Sequence, residues 1–175
     1  MAIAVFMVAP AVALPAQAQQ APASIETPAG ARVVLQAKGA GAQIYACMAT
    51  ATGIQWKLQG PDAKLLDAAG QPIGTHFAGP TWKLDDGSQV VGELMASQPA
   101  PEAGSVAWLL LRAKPGSATG KLADVAYVRR TDTHGGVPDK NACLSARDAG
   151  KTARVPYTAT YTFYAAGAAR QGHRG

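Results

Sequence analysis

Short runs in which apolar and polar residues alternate recur along this chain, the pattern of strands buried on one face. IQWKLQ sets Ile54, Trp56 and Leu58 against Gln55, Lys57 and Gln59. YTATYTFY places Tyr157, Ala159, Tyr161 and Phe163 on one face and Thr158, Thr160, Thr162 and Tyr164 on the other. RVVLQA (Arg32–Ala37), AQIYACM (Ala42–Met48), GPTWKL, SQVVGELMA and KLADVAYVRR read as further strands, the last with a bulge near Asp124. SVAWLLLRA (Ser105–Ala113) is continuously apolar from Val106 to Leu111 and fits a strand covered on both faces, although a short buried helix has the same pattern.

The punctuation supports the strands. GPDAKLLDAAGQPIG reads as a turn, a short strand and a second turn at Asp67–Gly70. Asp86-Gly87, between alternating flanks, predicts a hairpin, because glycine tolerates the positive φ of a tight turn. Thr131 to Pro156 is long, bears Gly and Pro, and contains Cys143. A loop of that length is usually tied down or functional. Within it, LSARDAGK suggests one or two helical turns stopped by Gly150. Many short strands without a long helical period predict an all-β fold, an antiparallel β-sandwich or barrel, with one long disulfide-stapled loop.

Composition bounds the organisation. The chain has 175 residues, 48% of them hydrophobic and 15% charged, which suits one domain with its own core. MAIAVFMVAPAVALPAQAQQ is apolar and then small and polar, with Ala16-Gln17-Ala18 as a cleavage pattern. Residues 1–18 are therefore expected to be a cleaved signal peptide. No Lys or Arg precedes Arg32, which points to a translation start a few codons upstream. Residues 19–31 read as an extended lead-in, 32–165 as the β domain and 166–175 as a flexible tail. Export to the periplasm or beyond follows, with no transmembrane segment left after cleavage. In an oxidising compartment Cys47 and Cys143 read as a disulfide, the alternatives being two buried thiols or a metal pair.

The net charge of +5 fits ordinary solubility, and no basic cluster is interleaved with aromatics, so nucleic acid is not an expected partner. An unknown small molecule or a cell-envelope component is.

Candidate chemistry is sparse. There is no G-x-S-x-G around any serine, and Ser88 follows a turn. Asp62, Asp85, Asp86 and Glu93 make only a weak case for paired carboxylates. His76, His134 and nearby aspartates lack a diagnostic metal spacing, so no metal and no cofactor is expected. The most distinctive run is HFAGPTWKLDDGSQVVG, from His76 to Gly92. It reads first as a hairpin in which Gly79 and Pro80 constrain the backbone and Trp82 packs. If the protein has a ligand site, His76 beside Trp82 is the candidate, with His134 as partner. No catalytic residue is assigned. The expected function is a non-enzymatic binding or envelope-associated domain; the alternative is a secreted hydrolase or metal-assisted enzyme using His76 and His134.

In order along the chain, GAQIYAC (Gly41–Cys47), Trp56, the segment Gly60–Gly92, AWLLLRA (Ala107–Ala113), THGG (Thr133–Gly136) and ARVPYTATYTFY (Ala153–Tyr164) resemble the family of exported bacterial and fungal proteins catalogued as domain of unknown function 3455. The resemblance implies a secreted single-domain protein and supports the Cys47–Cys143 bridge. It supplies no catalytic residues. Some fungal members carry a dehydrogenase label, but GAGAQIY here lacks the third glycine of a dinucleotide fingerprint and leads into a strand.

Overall fold

The structure is a computed structural model, and it describes residues 24–167. The expected signal peptide and most of the expected tail lie outside those residues.

Eight antiparallel strands close into a barrel, each paired with the next and the last with the first. They are β1 (Arg32–Thr50), β2 (Gly53–Leu66), β3 (Pro72–Phe77), β4 (Thr81–Leu84), β5 (Gln89–Gln98), β6 (Trp108–Ala113), β7 (Val125–Gly135) and β8 (Thr152–Ala165). Closure leaves no unpaired sheet edge, so every strand finds backbone partners on both sides.

Several predicted elements fuse. RVVLQA and AQIYACM are one strand of 19 residues, which stays paired on both sides through Gly39, Ala40 and Gly41. A Cβ on Gly39 would stand 2.5 Å from the Tyr161 ring, and one on Gly41 would stand 2.2 Å from the Asp62 carbonyl oxygen. IQWKLQ and the segment after it are likewise one strand. The expected turn at Gly60-Pro61 is a bulge, where the register slips between Ile44 and Tyr45 of the partner. The expected bulge near Asp124 forms as a register shift between Val125 and Tyr127, and a 3-10 turn over Gly120–Leu122 takes the place of the start of the expected strand. The second turn forms as read, with the Asp67 carboxylate accepting from the backbone N–H groups of Ala69 and Gln71.

The interior is filled. Tyr157, Ala159, Tyr161 and Phe163 of β8 face inward, together with Leu65, Trp82, Val90, Leu111 and Val128. Fully burying each large side chain contributes roughly 1.5–3 kcal/mol. The apolar run of β6 has a second explanation besides the core. Leu111 points into the barrel, while Leu110 is covered on the outside by Ala96 and by Ile25 of the lead-in. That covering is why Leu110 is apolar on the outward face, where Arg112, two residues on, is exposed and pairs with Glu93.

The Thr131–Pro156 region is shorter as a loop than the sequence suggests, because β7 runs on to Gly135 and β8 starts at Thr152. What lies between is pinned to the barrel wall. Cys47 and Cys143 form a disulfide, the Tyr45 hydroxyl donates to the Gly136 carbonyl at 2.8 Å, and Trp56 Nε1 donates to the Asp139 carbonyl at 2.9 Å. A single 3-10 turn, Ala146–Asp148, replaces the expected helical turns, and Gly150 ends it with φ +87°.

Candidate functional site

One opening of the barrel is shaped by two irregularities. The bulge at Gln59–Pro61 pushes β2 outward, and the turn Ala78–Pro80 joins β3 to β4 beside it. The two touch: a Cβ on Gly60, whose φ is +142°, would meet Ala78 at 2.7 Å. Bulges concentrate at barrel rims and near sites, where they redirect the chain. Beneath this rim lies a cavity of about 260 Å³. Leu58, Pro61, Pro80 and Leu109 give it apolar walls, and Gln43, His76 and Arg130 are its inner polar residues. Wider recesses on the outer surface, such as one of about 510 Å³ beside Arg112 and Tyr127, do not adjoin the buried polar groups.

His76 is buried at 2% exposure, on β3 directly across from Trp82 on β4. The rings stack, and the Tyr161 ring meets His76 edge-on at 4.9 Å. His76 Nδ1 is 2.8 Å from the Thr81 carbonyl oxygen. A carbonyl only accepts, so Nδ1 carries the proton and Nε2 is left as the acceptor nitrogen. Burial lowers the His76 pKa to about 4; the Thr81 bond opposes that shift and the Arg130 charge adds to it. The ring is therefore neutral at physiological pH.

Arg130 sits midway along β7, two residues beyond buried Val128. Its Nε and Nη2 both donate to the Ala107 carbonyl, at 3.0 and 2.7 Å. It takes part in none of the ion pairs among the described residues. Its charge is felt by His76, Tyr45, Tyr157 and Tyr161. The Tyr157 and Tyr161 hydroxyls are 3.1 Å apart, and burial pushes both phenols up.

Gln43 is 1% exposed, and its Nε2 has no hydrogen-bond partner among the described residues. The buried indole N–H of Trp82 also has none. An unsatisfied buried donor costs about 1–3 kcal/mol. Two of them inside one small barrel call for an explanation.

The structure brings His76 and Trp82 together and leaves His134 apart from them. His134 is exposed on β7 and pairs with Glu102. Among the described residues no group of three or more His, Cys, Asp or Glu is placed to hold a metal ion. The Ser88 hydroxyl accepts from the Lys121 backbone N–H at 2.8 Å, which anchors the 3-10 turn. Asp86, Glu93 and Asp62 are each salt-bridged on the surface, to Lys121, Arg112 and Arg154. Trp56 is taken up in holding the stapled loop, and Trp108 packs outside the barrel against the Ile25 cluster.

Gln43 and Arg130 went unread in the sequence. The signal for Arg130 is a charge on the same strand face as Val128, where an apolar residue is expected. Gln43 carries the weaker version of that signal, a polar residue two positions after a run of small inward ones.

Residues 28–165 match the family described as a protein of unknown function, DUF3455. This chain belongs to that family. No curated protein and no solved structure matches it. Membership in the DUF3455 family fits the order of motifs from GAQIYAC to ARVPYTATYTFY and names no activity.

Proposed function

We propose that this DUF3455 protein is an exported, non-enzymatic binding domain, and that the barrel mouth around Gln43, His76 and Arg130 is where it takes a small molecule. The observation that carries the reading is the Gln43 amide, buried at the cavity with donors that nothing among the described residues satisfies. Ligand pockets are mostly apolar, with a few placed polar groups, and this cavity is built that way. Eight-stranded barrels leave room for side chains or for one small ligand. Here side chains fill most of the interior, and the mouth keeps the remaining space. The Cys47–Cys143 disulfide fits an oxidising compartment.

The test is a native mass spectrum of the untagged protein from its natural source, beside the mass of the unfolded chain. A non-covalent excess that is lost in Gln43→Leu supports the reading. A native mass equal to that of the chain alone, or an excess unchanged in Gln43→Leu, overturns it.

A further inference from the structure

We infer that the barrel mouth selects a compact apolar carboxylate, its two oxygens held between the Arg130 guanidinium and the Gln43 amide. This rests on the binding reading above and narrows it to a ligand class.

Charge is the first argument. Arg130 lies partly buried at the cavity with no carboxylate partner among the described residues, and the titratable groups that sense it are a neutral histidine and three tyrosines. A partly desolvated charge is costly unless it is paired, so the missing counter-ion is a feature the site can use. The second argument is geometry. Two bonds to the Ala107 carbonyl lock the guanidinium plane, and the Tyr161 hydroxyl accepts from it as well; of its five N–H donors some remain for a ligand. Gln43, which lines the same cavity, adds an Nε2 that has no partner among the described residues. An ionised carboxylate is an acceptor-only group with two oxygens, which matches two donor groups. A phosphate, with more oxygens and more charge, would be left under-bonded there. The third argument is shape. At about 260 Å³ the cavity falls below the usual range for drug-sized ligands, and Leu58, Pro61, Pro80 and Leu109 offer apolar contact to the body of the molecule.

The experiment titrates the unaltered, oxidised protein with benzoate, with benzamide, which has the same ring and nearly the same shape but no charge, and with inorganic phosphate. Binding is read by amide chemical shifts at Gly60, Leu109 and Arg130. Benzoate is expected to bind at least tenfold more tightly than benzamide or phosphate, and Arg130→Gln to erase that preference. Because Arg130→Gln also strips Ala107 of both its donors, Gln43→Leu carries the same test with the arginine left in place. Equal affinity for benzoate and benzamide, or phosphate bound as tightly as benzoate, overturns the carboxylate assignment while leaving a binding mouth. Shifts from none of the three at millimolar concentration overturn both.

Discussion

His76 and Trp82 face each other across the β3–β4 ladder with their ring planes 3° from parallel and their centroids 4.5 Å apart. The indole seals one face of the imidazole, Tyr161 closes its edge, and the Thr81 carbonyl takes its one proton. Burial among these rings holds the histidine neutral against the opposing effect of the Thr81 bond, and this has a consequence for acid stability.

In the unfolded chain the His76 ring gains a proton as pH falls through 6.5, whereas in the barrel it resists until about 4. Between those values the unfolded state binds more protons, so stability falls with falling pH. At 1.36 kcal/mol per pKa unit the loss approaches about 3 kcal/mol by pH 4. Urea denaturation from pH 7 to 4 should show this slope, and His76→Phe should flatten it. Asp86, held at about 2 by Lys121 and Ser88, loses its contribution only at lower pH and does not mix with this window.

The disulfide closes a sequence separation of 96 residues and ties the stapled loop to β1. In the chain-entropy model a closure of that size contributes about 4–5 kcal/mol. Cys47→Ala, or reductant added to the native protein, should lower the melting temperature by many degrees. Equal melting with and without reductant would mean that the bridge contributes nothing.

Gly39 lies against the fully buried Tyr161 ring. Gly39→Ala forces a methyl into that ring, which is held by Trp82 and Tyr157 and cannot step aside. Overpacking of this kind costs about 1–3 kcal/mol. Chemical denaturation reads it directly, and an unchanged midpoint would show that the wall yields.

Ile25 covers the outer face of β6 from the lead-in at 5% exposure. Ile25→Ala should cost about 2 kcal/mol, the lower end for a buried aliphatic side chain. Faster hydrogen exchange confined to β5 and β6 would locate the loss there.

Gln43→Leu removes donors that no described residue satisfies, so it should leave stability unchanged or raise it by about 1–3 kcal/mol. The same variant should lose ligand at the mouth. A stabilised protein with weakened binding is the trade expected where a site keeps a costly polar group.

The sequence by itself determined the strands and the sealing of the core. Period-two alternation in YTATYTFY named the inward face of β8 residue by residue, because strand side chains can only alternate. Asp86-Gly87 announced its hairpin through the positive φ that glycine permits, here +87°. The pairing of Cys47 with Cys143 is the one their even count predicts for an oxidising compartment. Three things were decided only by the tertiary structure. Closure into a barrel rather than a sandwich depends on β8 reaching β1, a pairing between opposite ends of the chain that no local pattern encodes. The continuous apolar run of β6 became intelligible once Ile25 was seen on its outer face. The site itself required the closed ring. Gln43, His76 and Arg130 stand on β1, β3 and β7, strands that do not pair with one another, and only the curvature of the barrel turns all three toward one small cavity.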